Sequence, residues 1–217
     1  MKAATTLALL AGSAAAAPAL TTRQLGSTTR NDLEEGNEAE CPGVILIFAR
    51  ATGEAGNMGG STGPALTGTL EDNLDSLWVQ GVGGPYDAAL GDNMLPKGTS
   101  QEAIDEAIRL FTLAHEKCPE ASIVTGGYSQ GTAVIAGSVS ELEPAIQDQV
   151  KGAVLFGYTK NKQNNEQIPN FPTDRTSIFC NEGDQVCEGT LILAPPHFAY
   201  TGAASGPAAE FLLGQVA

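Results

Sequence analysis

Ile123-Val124-Thr125-Gly126-Gly127-Tyr128-Ser129-Gln130-Gly131 is an apolar run that breaks into G-x-S-x-G just where a helix-like segment begins. The pattern is that of a nucleophile elbow. A serine hydroxyl attacks carbonyl carbon only when it is exposed beside a base, and a sharp strand-to-helix turn holds it there, with Gly127 and Gly131 leaving room for the tight backbone. Taken alone, the pentapeptide also fits an ordinary glycine-rich turn. Its context decides between the two.

C-terminal to Ser129 stand a carboxylate, Asp184, within Cys180-Asn181-Glu182-Gly183-Asp184-Gln185-Val186-Cys187, and an imidazole, His197, within Ala194-Pro195-Pro196-His197-Phe198. Ser, then Asp, then His is the chain order of an α/β-hydrolase triad; other serine-hydrolase folds order the three differently. The chain has 2 histidines. His115 precedes the serine and lies in a segment, Thr99 to Cys118, whose apolar residues recur at helical spacing, so it reads as a helix-surface residue. His197 follows two prolines, which break regular structure and set it on a loop between Leu191-Ile192-Leu193, a strand-like run, and a C-terminal helix. Asp148 and Asp174 also follow Ser129, but Cys180 and Cys187 are close enough in sequence to close a ring around Asp184. Such a ring would orient its carboxylate. A purely structural staple with a solvated aspartate is the alternative.

Residues 1–16 carry one basic residue, an apolar stretch around Leu7 to Leu10 and a small-residue end, the pattern of a secretory signal peptide. Residues 17–23 are a candidate pro-segment ending at Arg23, and residues 24–40 an acidic N-terminal arm. The stretch from Asn31 to Glu40 lacks a periodic apolar pattern and is expected to be mobile or loosely packed. Residues 41–217 read as a single domain, and the roughly 190 residues left after processing suffice for a full core. The expected location is therefore extracellular. Four cysteines in an exported chain imply two disulfides, with three connectivities open. Pairing Cys180 with Cys187 would leave Cys41 with Cys118. No C-x-x-C pair suggests zinc.

A formal net charge of -14 argues against nucleic acid, which needs a basic face, and suits an uncharged substrate. No later apolar span reaches membrane length, and no N-x-S/T sequon occurs. Apolar strands alternate with helical patterns. Strands are expected at Val44 to Phe48, Leu77 to Val82, Ser122 to Gly126, Gly152 to Phe156 and Ser177 to Cys180. Helices are expected at Pro64 to Leu74, Ser100 to Lys117, after Ser129 to about Ser140, Glu143 to Gln149 and Pro207 to Leu213. The alternation predicts an α/β fold, a parallel sheet with helices on both faces and functional groups at the carboxyl ends of its strands.

Several linked segments then carry a family resemblance: Ile45 to Gly59 (I-L-I-F-A-R-A-T-G-E-A-G-N-M-G), Val79 to Ala89, Leu95 to Gln101, Gly127 to Gly131, Gly152 to Tyr158, Cys180 to Cys187 and Pro196-His197. Across nearly the whole mature length the chain resembles the fungal cutinases, small secreted serine esterases. The resemblance implies a compact α/β-hydrolase with a five-stranded parallel sheet and no full lid. It implies disulfides Cys41 to Cys118 and Cys180 to Cys187, and hydrolysis of cutin, the plant cuticle polyester. It also implies an oxyanion hole made by the backbone N–H groups of Thr52 and Gln130, with the Thr52 hydroxyl as a third donor and Asn93 orienting that hydroxyl. Cleft walls by resemblance are Leu90 and Gly91 on one side and Leu191, Leu193 and Phe198 on the other; the two leucines equally suit ordinary filling of a strand-like run.

Here the chain departs from the usual R-G-S-T-E of relatives, reading Arg50-Ala51-Thr52-Gly53-Glu54. Gly53 is expected to loosen the turn and leave the hole less preorganised. The expected partner is an insoluble polyester or lipid-like ester acted on by a monomer, with no cofactor, metal, nucleic acid or transmembrane anchor. Because the base must be neutral and an unperturbed imidazole has a pKa of roughly 6.5, activity should fall below about pH 6. Two other readings share these residues: an acetylxylan-type esterase, and a catalytically weakened secreted surface-binding protein.

Overall fold

The computed structural model describes residues 27–217. The signal-peptide and pro-segment expectations lie outside these residues. In chain order the elements are α1 (Asp32–Glu35), β1 (Val44–Ala49), α2 (Thr62–Asn73), β2 (Leu77–Gly81), α3 (Gln101–Lys117), β3 (Ser122–Tyr128), α4 (Gln130–Glu141), α5 (Pro144–Gln149), β4 (Val150–Phe156), β5 (Thr176–Phe179), α6 (Thr201–Ala203) and α7 (Ala209–Val216), with short 3-10 turns between them. A π-helical turn over Ala204–Ala208, holding Pro207, joins the last two helices.

All strand pairs are parallel, and the five strands run in the order β2-β1-β3-β4-β5. A parallel sheet covered on both faces needs strands that are apolar on both sides, which is why β1 reads V-I-L-I-F-A with every residue buried. Its side chains alternate. Ile45, Ile47 and Ala49 enter one core with Ala107, Leu110 and Phe111 of α3 and Val134 of α4. Val44, Leu46 and Phe48 enter the opposite core with Leu66 and Leu70 of α2 and Leu212 of α7. Helix α3 starts where Ser100 accepts a bond from the N–H of Ala103 at 3.1 Å, a side-chain cap on an otherwise unsatisfied donor.

The sheet order also fixes where a site can form. From β1 the chain crosses to one side to make β2 and then to the other to make β3. The connections beyond the carboxyl ends of β1 and β3 therefore diverge and leave a crevice. Thr52 follows β1 and Ser129 follows β3, so both sit at this switch point.

The stretch from Asn31 to Glu40 is not loose, contrary to expectation. Leu33 is fully buried against the core, Asn31 bridges Gln80 beside the edge strand β2, and Asp32 accepts from the Val79 N–H at 3.0 Å. Lys117 caps the segment by donating to the carbonyls of Leu33 and Gly36 at 2.7 and 3.0 Å, while Arg30 pairs with Asp32 and Glu71. A single apolar anchor among partnered charges orders the stretch and covers an otherwise open sheet edge. Leu191-Ile192-Leu193 likewise forms no strand. All three side chains are about half exposed in a loop, which sheet pairing would not allow.

Candidate active site

The turn after β3 takes the form its residues require. Ser129 has φ 52 and ψ -119, a conformation costly for a residue with a Cβ, and its N–H is held by the Phe156 carbonyl at 2.9 Å. The turn also brings α4 against the end of β1: a Cβ at Gly131 would lie 2.0 Å from the Ala49 carbonyl oxygen, so only glycine fits there.

The structure brings the three expected side chains into one chain of bonds. Ser129 Oγ lies 2.9 Å from His197 Nε2, and His197 Nδ1 lies 2.8 Å from Asp184 Oδ2 and 3.0 Å from Oδ1. His197 and Asp184 are only 2% and 3% exposed. Asp184 also accepts the Val186 N–H at 3.0 Å and the Tyr200 hydroxyl at 2.5 Å, so both its oxygens are satisfied in a dry site. The Asp148 and Asp174 side chains are in exposed positions elsewhere. His115 lies on α3 with Nδ1 2.7 Å from Gln149 Oε1 and takes no part in the site.

The loop from Cys180 to Cys187 is closed by a disulfide, and Cys41 is joined to Cys118. Both pairings follow the resemblance. Asn181 ties the disulfide loop to the His197 segment by donating from Nδ2 to the Pro196 carbonyl at 2.8 Å. The two prolines before His197 do not abolish regular structure: Pro195–Phe198 forms a short 3-10 turn, in which a proline near the first position loses no hydrogen bond. Tyr128 donates to the His197 carbonyl at 2.7 Å, fixing the turn from the β3 side. Burial raises the Tyr128 phenol to about 12, and Tyr200 is raised further by burial and by its bond to Asp184; both remain neutral donors.

The corner after β1 supplies the opposite wall. Asn93 Nδ2 donates to Thr52 Oγ1 at 2.9 Å and to the Leu90 carbonyl at 3.0 Å, which leaves the Thr52 hydroxyl hydrogen for another acceptor. Gln130, as the first residue of α4, has an N–H with no intrahelical acceptor. The turn is not loosened by Gly53. That residue sits at φ 71, which glycine adopts without steric cost, and its N–H donates to the Ala88 carbonyl at 3.1 Å. Glu54 holds the turn as well, accepting from the Ala51 N–H at 2.9 Å and the Ser61 hydroxyl at 2.6 Å.

Thr52, Ser129 and His197 open into a cleft of about 350 Å³ whose walls include Leu90, Leu191, Leu193 and Phe198. Gly91 is exposed and does not line it. Met94, Tyr128, Thr159 and Val186 line it and were not anticipated. Their signals were weak: Tyr128 sits inside the elbow, Val186 inside the disulfide ring, and Met94 next to Asn93. Nor was the role of the Gln130 side chain foreseen. Its Nε2 donates to the Ala89 carbonyl at 2.7 Å, linking the elbow helix to the turn that carries Asn93.

Comparison with known proteins gives a consistent picture. The Cutinase family model matches residues 40–216. The chain is similar to the cutinase CUT1 of Pyricularia oryzae, 59% identical over 198 residues covering 91% of this chain and 86% of the relative. It is also similar to cutinase 1 of Fusarium vanettenii, 53% identical over 216 residues covering 96% and 94%. Among solved structures, a Trichoderma reesei cutinase in complex with a phosphonate inhibitor superposes with a TM-score of 0.76 at 31% identity, covering 88% of this chain and 81% of that one. An acetylxylan esterase shares the fold, with a TM-score of 0.67 at 16% identity over 82% of this chain and 100% of that one.

Proposed function

Since the chain belongs to the cutinase family, we propose that Ser129, His197 and Asp184 are the nucleophile, base and orienting carboxylate of a serine esterase that hydrolyses cutin. The observation that carries the assignment is the unbroken bond chain from Ser129 Oγ through His197 to Asp184.

In the reaction, His197 Nε2 takes the proton of Ser129 as Oγ bonds to the ester carbonyl carbon. Asp184 keeps the other ring nitrogen protonated and stabilises the imidazolium. The tetrahedral oxyanion is held by the N–H groups of Thr52 and Gln130 with help from the Thr52 hydroxyl. The same imidazolium returns its proton to the departing alcohol. Water, deprotonated by neutral His197, then attacks the acyl-enzyme and releases the carboxylic acid, and Ser129 recovers its proton.

Substrate class follows from the rim. Leu90, Met94, Leu191, Leu193 and Phe198 are all large, apolar and exposed, and all line the cleft. A continuous apolar patch beside a catalytic centre suits an insoluble polyester or lipid-like ester better than an acetylated polysaccharide. The enzyme acts as an exported monomer with residues 41–217 as its single catalytic domain. No helix among the described residues is long and apolar enough to cross a membrane.

Replacing Ser129 with Ala tests the assignment. Loss of roughly 10⁶-fold in turnover of a short p-nitrophenyl ester is expected, leaving only what binding and the oxyanion donors supply. Near-normal turnover by a folded variant would refute it.

A further inference from the structure

The two disulfides take all four cysteines, which leaves thioethers as the sulfur atoms open to oxidants. The two methionines among the described residues contrast sharply. Met58 is fully buried in the core on the α2 side of the sheet. Met94 is 82% exposed, the most exposed of the large apolar side chains, and it lines the cleft that holds Ser129 and His197.

We propose that Met94 is an oxidation site at which hydrogen peroxide weakens the enzyme's hold on apolar polymer while leaving its chemistry in place. A lone pair of Met94 Sδ attacks one peroxide oxygen as the O–O bond breaks. Sulfur is oxidised by two electrons to the sulfoxide, the peroxide is reduced, and its remaining oxygen leaves as water with both hydrogens. Because the side chain is not packed, the sulfoxide disturbs no core contact. Its S–O dipole, however, stands on the wall of a cleft that Leu90, Leu191, Leu193 and Phe198 also line, and must be stripped of water whenever that apolar rim docks on a polymer. A soluble ester small enough to enter the cleft alone makes no such demand on the outer rim. The modification therefore shifts selection between polymeric and soluble substrates. This inference rests on the reading of the rim as a polymer-docking surface.

The test treats the purified protein with hydrogen peroxide and follows three quantities. Peptide mass mapping is expected to place one added oxygen on Met94 and none on Met58. Adsorption to polyester particles and polymer hydrolysis should fall roughly 3- to 10-fold relative to untreated protein, while turnover of a short soluble ester changes less than about twofold. Methionine sulfoxide reductase should reverse the loss, and in Met94→Leu the ratio of treated to untreated polymer activity should stay near one. Complete oxidation of Met94 without loss of adsorption or polymer hydrolysis overturns the proposal, as does an equal loss in Met94→Leu. Absence of polymer hydrolysis and adsorption in the untreated protein would instead overturn the docking reading of the rim.

Discussion

The floor and the rim of the cleft are built on opposite principles although they share residues next to one another in sequence. On the floor, Asp184 and His197 are almost wholly buried and every polar atom of the triad has a partner within about 3 Å in the bond chain just described. On the rim, one residue beyond His197, Phe198 is 62% exposed and meets the imidazole only edge-on. Ordering polar groups in a dry site before substrate arrives removes reorganisation from the reaction, whereas leaving large apolar groups in water costs solubility and is useful only if something covers them. On the proposed reading the floor carries rate and the rim carries choice of substrate, and changes in one should leave the other's signature intact.

The sharpest way to break that division is at Asp184. Asp184→Asn keeps the shape but offers an amide where two acceptors are needed, so the imidazole is held in the wrong tautomer and Tyr200 loses a charged partner. Turnover should fall roughly 10⁴-fold on soluble and polymeric esters alike, with adsorption to polymer unchanged. A loss confined to polymer would place Asp184 in docking and dissolve the distinction. Smaller effects are expected one bond further out. Asn93→Ala frees the Thr52 hydroxyl to point elsewhere and should lower kcat roughly 10- to 100-fold with little change in KM, since the bond it supports is made in the transition state. A rise in KM with kcat preserved would assign Asn93 to binding the ground state.

Buried tyrosines, two of them at the floor, sharpen the comparison through pH. All four tyrosines, Tyr86, Tyr128, Tyr158 and Tyr200, are buried, and burial holds each phenol above its ordinary value near 10, Tyr128 and Tyr158 up to about 12. The native state therefore keeps protons that the unfolded chain loses. Their contribution is complete below pH 10 and declines as pH rises through 10 to 12. Thermal melts should show the melting temperature falling across that window, and tyrosinate absorbance should appear together with unfolding. Gradual ionisation of a fully folded protein near pH 10 would mean that these phenols are open to water.

Much of this was legible beforehand, for physical reasons that also explain the rest. Val44 to Phe48 and the G-x-S-x-G turn announce themselves because a doubly covered strand and an elbow each tolerate few residue types. Asp184 and His197 were readable from chain order and the cysteine ring. Packing of the arm was not, because its order depends on one apolar residue, Leu33, and on distant partners: Lys117 and Arg109, which pairs with Glu34 at 2.6 Å. Leu191-Ile192-Leu193 misled for a related reason. Apolar alternation signals burial, and nothing in a single sequence says that a run will be kept exposed. Tyr200 and the Gln130 amide act through bonds across 16 and 41 residues, a separation at which spacing carries no signal.

The smallest effect probes the rim where it is least entangled with catalysis. Ile192 is 56% exposed and does not line the cleft, in contrast to Leu191 and Leu193 on either side of it. Its backbone N–H is held by Thr190 Oγ1 at 3.2 Å, so the loop's form does not depend on the side chain. Ile192→Ser removes apolar surface from the face that would meet a polymer but touches none of the bonds that fix His197. At about 25 cal/mol per Å² of apolar area, partial coverage of one such side chain corresponds to roughly a 2- to 5-fold change in adsorption. Polymer hydrolysis at low enzyme concentration should fall by the same factor, and soluble-ester turnover by less. Equal losses on both substrates would show that the loop transmits its packing to His197, so that rim and floor are one unit. A loss on polymer alone would show that the chain keeps these residues in water because a solid substrate is what covers them.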